Sequence, residues 1–272
     1  MKFAFVGYGN MGSTLLNGLL ENGALTEDQI IVTNRTMGKL DKLKRDRPQI
    51  TLVTDCVDVT IADVIFLCVK TDEVKGTIEQ MMPRLNHNSH LITINGGLQI
   101  SNLEQIFPGK ITKAIPSMTL GSGRGVTLVC HNKKVDPISA RTIESMFARV
   151  GLVQIVKEDQ LEVAADLTSC APAFLADIVE RFAEAGSRHS DLNAETTRRL
   201  VVETLLGTAL TLSSGAFSFD EMKSRVATKG GITEQGLAVL DQEMPRVFDQ
   251  VLEATRSKHE TVKAALTGQF KK

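Results

Sequence analysis

Lys2-Phe3-Ala4-Phe5-Val6-Gly7-Tyr8-Gly9-Asn10-Met11-Gly12 is the stretch that decides the fold. An apolar, β-forming run from Lys2 to Val6 enters glycines spaced G-x-G-x-x-G. Met11 to Glu21 then carries Leu15, Leu16, Leu19 and Leu20 at helical spacing, until Asn22-Gly23 ends it. In a strand-turn-helix context each glycine has its own task. Gly7 permits a tight turn, Gly9 lets the backbone approach a pyrophosphate, and Gly12 lets helix and strand touch. The N–H groups and dipole at the start of the helix, around Asn10 and Met11, favour a negative ligand. Gly7, Gly9, Asn10, Met11 and Gly12 are therefore expected to bind a dinucleotide; a purely structural glycine turn is the bland reading.

Further β-rich runs follow at Gln29 to Thr33, Asp63 to Val69 and Ser89 to Ile94, and again at Ile111 to Ala114, Gly125 to Cys130 and Leu152 to Val156. Their alternation with helical patterns predicts a mainly parallel sheet of seven or eight strands, some antiparallel near one edge. A helix from Asp136 to Arg149 has Pro137 in its first turn. Asn34-Arg35-Thr36 stands at the end of the second run, where an acidic residue would select a free ribose 2′-hydroxyl. A guanidinium flanked by short polar groups suits a 2′-phosphate instead, so NADPH is expected over NADH. Arg35 also reads as a solvated surface residue. Val69 and Lys70 end a strand at the carboxyl edge where cofactors lie in such sheets, although a surface ion pair would explain Lys70 as well.

From about Glu158 the β-branched runs give way to long helical periodicities. The division expected is residues 1–157, a Rossmann-type NADP-binding domain, and residues 158–272, an all-α domain. Ala164 to Arg188 reads as one helix that Pro172 kinks or restarts. Asn193 is an N-cap for Ala194 to Ser213, Ser218 with Glu221 makes a capping box, and a last helix begins near Thr233. Leu200, Val201, Val202, Leu205, Leu206, Ala209, Leu210 and Leu212 make the Ala194 to Ser213 helix apolar nearly all round, more than a one-faced helix needs. A partner subunit could cover the excess.

Composition excludes other classes. The 272 residues carry 31 Lys+Arg against 32 Asp+Glu, so no global field attracts nucleic acid. Aromatics are 4%, with no Trp, too few for a base-stacking platform. Glu203 interrupts the longest candidate for a spanning helix, so no membrane is expected. Cys56, Cys68, Cys130 and Cys170 are widely spaced, as in a cytoplasmic protein with reduced thiols. His87, His90, His131, His189 and His259 lack ligand spacing, and no metal is expected.

Separate stretches in matching order carry a family resemblance. They are Val6-Gly7 through Asn10-Met11, Phe66-Leu67-Cys68-Val69-Lys70, Ala171-Pro172-Ala173-Phe174, and Val226 through Thr233 with its paired glycines. Over nearly the whole chain the sequence resembles the pyrroline-5-carboxylate reductase family. The resemblance implies NADPH-dependent reduction of a cyclic imine, most simply 1-pyrroline-5-carboxylate to L-proline in proline biosynthesis. It also implies a homodimer through interlocked helical dimerisation domains, with a higher oligomer left open, and a substrate site between domains. Carried over by position, Thr228, Lys229, Gly230, Gly231 and Thr233 would bind the imino-acid substrate, with Thr233 as the catalytic residue holding the substrate nitrogen. On loop chemistry alone the same glycines make a helix corner and Thr233 an N-cap.

Departures cluster around the same site. The family's M-P-N-T-P is Ile115-Pro116-Ser117-Met118-Thr119 here, its S-G-S-G-P-A is Thr168-Ser169-Cys170-Ala171-Pro172-Ala173, and Lys229 replaces the proline of S-P-G-G. Two alternatives therefore stand beside the main expectation: a reductase of a different imine, and a regulatory dinucleotide-binding paralogue without turnover.

Overall fold

Strand β1, Phe3–Val6, is buried along its whole length because helices cover both faces of the sheet it sits in. Phe3 and Phe5 point to one face, and Ala4 and Val6 to the other. The computed structural model describes residues 1–36, 38–86 and 88–270, the side chains of Thr267 and Gln269 excepted. His87 lies outside the described residues.

After β1 come α1 (Asn10–Glu21), β2 (Ile30–Thr33), α2 (Gly38–Asp46), β3 (Thr51–Val53), β4 (Val64–Leu67) and α3 (Val74–Met81). They are followed by β5 (His90–Thr93), α4 (Ile100–Glu104), β6 (Lys110–Pro116), β7 (Gly125–His131), α5 (Pro137–Ala148) and β8 (Gly151–Ile155). The 8-stranded sheet has the order β3-β2-β1-β4-β5-β6-β7-β8. All neighbours are parallel except β6 and β7. The antiparallel expectation thus holds at one junction. β3 is a strand the sequence runs did not include: it is an edge strand whose residues are exposed or half-buried, so it lacks a buried strand's apolar signature.

From β1 the chain winds outward to β2 and β3 and then returns to β4 on the other side of β1, which creates a topological switch point. Val6 pairs in register with Thr33 and with Leu67, so β1, β2 and β4 end level and their loops share one edge. Leu15, Leu16 and Leu19 of α1 and Phe147 of α5 pack on one face with Phe5 and Phe66, whose rings stack at 4.6 Å. Ile78 and Met81 of α3 and Leu103 of α4 pack on the other.

Beyond β8 lie α6 (Leu161–Ala165), a π-helical turn (Asp166–Cys170), α7 (Ala171–Arg188), α8 (Ala194–Ser213), α9 (Phe219–Val226) and α10 (Ile232–Phe270). The single helix expected from Ala164 is thus divided. Pro172 is the second residue of α7, where its missing N–H is tolerated, and the π turn absorbs the break. Two compact units result: Met1–Cys170 with Thr255–Lys272, and Ala171–Ala254. Residues from Thr255 onward close the first unit's core, where Leu266 and Phe270 are buried. In the second unit α8 leaves Leu200, Val202, Leu205, Leu206 and Leu210 at 41–51% exposure. Among the described residues, no helix is long and apolar enough to cross a membrane.

Candidate active site

The glycine turn after β1 is held by its neighbours. Gly7 N–H donates to Thr33 O (2.9 Å), and Cys68 N–H donates to Val6 O (2.8 Å). Gly7 has φ +102°, and a Cβ there would stand 2.6 Å from Cys68 O; one on Gly12 would run into Gly7 O. These two glycines let helix, strand and turn meet. Gly9 differs, because a Cβ there would meet nothing within 4 Å. The turn is open on that side. Gly9 is also the N-cap of α1, with no side-chain cap and no acidic residue in the first turn, so the first-turn N–H groups at Asn10, Met11 and Gly12 stay available to an anion. This is the cradle a pyrophosphate fits, and the residues present suit a dinucleotide.

Asn34, Arg35 and Thr36 stand beside the turn, with different duties. Asn34 Oδ1 accepts from Tyr8 N–H (2.9 Å) and its Nδ2 donates to Thr36 O (2.9 Å). Its side chain thus ties the end of β2 to the turn instead of projecting toward a ligand. The Arg35 side chain is 82% exposed and its Nη1 pairs with Glu73 Oε1 at 2.8 Å. On the other flank Val69 O accepts from Asn95 Nδ2 (3.3 Å), Asn95 Oδ1 accepts from the Thr71 hydroxyl (3.0 Å), and Lys70 is exposed. Sequence reasoning misses Glu73 and Asn95, whose side chains tie this edge together. Their partners lie 38 and 26 positions away, so no local pattern announces them.

At the end of β6, Ser117 is buried and caps the turn that follows: its Oγ accepts from Thr119 N–H (3.3 Å), while Met118 is half-exposed. Further along that edge the buried Lys113 ammonium donates to Gly96 O (3.1 Å) and Glu158 Oε1 (3.2 Å). Burial lowers its pKa and Glu158 works against that. The π turn brings in another acid without a local signal, Asp166. It is buried and accepts from Thr255 Oγ1 (2.7 Å) and pairs with His259 Nε2 (3.1 Å). Cys170 lies in the same turn, and burial first, then the Asp166 charge and hydrogen bond, raise its thiol pKa. Burial pushes the Cys68 thiol up to about 12. Neither is an activated nucleophile.

In the second unit, the turn between α9 and α10 is built on its glycines. Gly230 has φ +74°, Gly231 N–H donates to Thr228 O (2.8 Å), and Gly230 N–H donates to Glu234 Oε2 (2.6 Å). Lys229 and Gly230 are exposed, while Thr233 is half-buried in the first turn of α10. The sequence-predicted residues therefore form two sets, the cofactor set in the first unit and the turn set in the second.

Comparison with known proteins identifies the family. Residues 158–262 match the family described as pyrroline-5-carboxylate reductase dimerisation, and residues 2–97 match NADP oxidoreductase, coenzyme F420-dependent. Pyrroline-5-carboxylate reductase 3 of Bacillus subtilis is 32% identical over 95% of this chain and 96% of its own. ComE operon protein 4 of the same organism is 28% identical over 99% of each. A pyrroline-5-carboxylate reductase structure from Coxiella burnetii superposes with a TM-score of 0.88 at 29% identity, covering 96% of this chain and 98% of that one. The chain belongs to the pyrroline-5-carboxylate reductase family, nicotinamide-dependent oxidoreductases acting on a C=N bond.

Proposed function

We propose that the protein reduces 1-pyrroline-5-carboxylate to L-proline with NADPH. The observation that carries this is the turn Thr228–Thr233, which keeps paired glycines, a left-handed Gly230 and a threonine at the start of a long helix. In this reading residues 1–157 hold the dinucleotide, and residues 158–272 supply dimerisation and the substrate turn. Bound there, the reduced nicotinamide supplies the hydride for the imine carbon. The glycine turn after β1 holds the pyrophosphate, and Arg35 with Thr36 meets the 2′-phosphate. In the turn before α10 the substrate carboxylate takes the place of Glu234 Oε2 on Gly230 N–H, with Lys229 adding a cation beside it. Thr233 accepts a hydrogen bond from the protonated imine nitrogen and fixes the ring. A protonated imine is already electrophilic, so placement supplies most of the catalysis and no covalent nucleophile is needed. The free cysteines fit a reducing cytoplasm.

NADPH oxidation in the presence of pyrroline-5-carboxylate tests the reading. Thr233→Ala should lower kcat/KM by roughly 10- to 100-fold, the worth of one charge-assisted hydrogen bond, with the NADPH Kd unchanged. Equal losses in both would make Thr233 a structural residue. A second reading, dinucleotide binding without turnover, draws on Ser117, Met118 and Cys170 at the site and on the likeness to ComE operon protein 4. Tight NADPH binding with no turnover on any of a panel of cyclic imines would carry it.

A further inference from the structure

Arg35 and Glu73 stand on the two loops that flank the glycine turn. β2, β1 and β4 are adjacent and end level. Arg35 follows β2 and Glu73 follows β4, so their 2.8 Å pair reaches across the mouth of the switch-point crevice, over the turn after β1. That bridge spans two strand spacings, roughly 9–10 Å, where the adenosine end of a dinucleotide lies in this fold.

We propose that Glu73 is a specificity-determining residue of the cofactor site, working against the 2′-phosphate for which Arg35 is suited. The proposal rests on the NADPH reading. Arg35 has one guanidinium, and Glu73 holds its Nη1 edge. An arriving 2′-phosphate must displace that carboxylate or share the guanidinium with it. In either case two anions are brought close together around one cation. An unphosphorylated ribose presents a neutral hydroxyl and meets no such opposition. A carboxylate near the ribose is the very device by which this fold class favours the unphosphorylated cofactor, normally carried at the end of β2. Here β2 is followed by Asn34-Arg35-Thr36, and the acid comes from the loop after β4. The two loops thus push cofactor choice in opposite directions.

Glu73→Gln keeps the shape and removes the charge. Isothermal titration of the intact protein with NADPH and with NADH should show NADPH bound about two- to fivefold tighter, the scale of an exposed charge pair, and NADH unchanged or weaker. The NADPH gain should shrink as salt rises, because exposed charges are screened. An unchanged or weaker NADPH affinity overturns the proposal, as does equal tightening of both cofactors, which would mean a simple opening of the crevice. Arg35→Ala separates the two readings. If it leaves the NADPH to NADH ratio unchanged, the NADPH reading itself fails. If it collapses the ratio while Glu73→Gln does nothing, only the role of Glu73 fails.

Discussion

Gly7 and Gly9 lie two positions apart and face opposite constraints. Gly7→Ala would place a methyl group 2.6 Å from Cys68 O at a left-handed φ, which should cost about 2 kcal/mol or more of stability in urea unfolding. Gly9→Ala meets open space, so stability should hold while dinucleotide affinity falls, because the methyl group occupies the side a pyrophosphate approaches. Similar losses of stability in both variants would contradict this division of labour. Gly7 and Gly12 are legible in the sequence because steric overlap with backbone forbids substitutes there whatever surrounds them. The role of Asn34 is not. Its place at the end of β2 suggests a ligand-facing residue, yet its side chain is used up tying Tyr8 to Thr36, a contact visible only once β1 and β2 are paired. Asp166 stays hidden for a related reason: an acid in the run Val163-Ala164-Ala165-Asp166-Leu167 gains meaning only when Thr255 and His259 meet it.

At the scale of elements, β5, β6, β7 and α5 share a polar relay through an otherwise apolar layer. His90 Nε2 lies 2.6 Å from Thr112 Oγ1, which lies 2.7 Å from His131 Nδ1, and His131 Nε2 lies 3.2 Å from Glu144. The Thr112 hydroxyl has one proton, so it donates to one ring and accepts from the other. Burial, chiefly, and then the charges of His131 and Lys110 lower the His90 pKa to about 4, with Asp136 opposing. An unfolded histidine takes up its proton near pH 6.5, before the folded one does. Stability contributed by neutral His90 is therefore complete above that pH and falls as pH drops toward 4, by about 3 kcal/mol in all. His90→Gln should flatten the pH dependence of the urea midpoint across that window, and an unchanged slope would rule out His90 as its source. Strand and helix identities are readable from periodicity where burial is uniform. The exposed edge strand β3 and the π turn before Pro172 are not, because one lacks the apolar pattern and the other continues a helical one.

For the whole molecule, the excess apolar surface of α8 is already plain in the order of its residues, since a helix apolar on all sides must be covered. Leu200, Val202, Leu205, Leu206 and Leu210 remain exposed on the single chain, in a region matching a dimerisation family. Folded protein should therefore sediment as a dimer, and dilution should lower helicity along with mass, because monomers lose the cover. A folded monomer at every concentration would refute this. Which loops oppose each other over cofactor choice is beyond the sequence, for it depends on strand order.

The chain leaves the sheet-bearing unit at Cys170 and rejoins it at Thr255. All eight strands are therefore synthesised before Leu266 and Phe270, the side chains that finish one face of their core. A nascent chain on the ribosome has that face covered by α3 and α4 but lacks Leu266 and Phe270 for the whole time its helical insertion is being made. Completion of this face therefore waits on residues made after the whole helical insertion, and until then the apolar side chains that Leu266 and Phe270 cover are what a chaperone would meet.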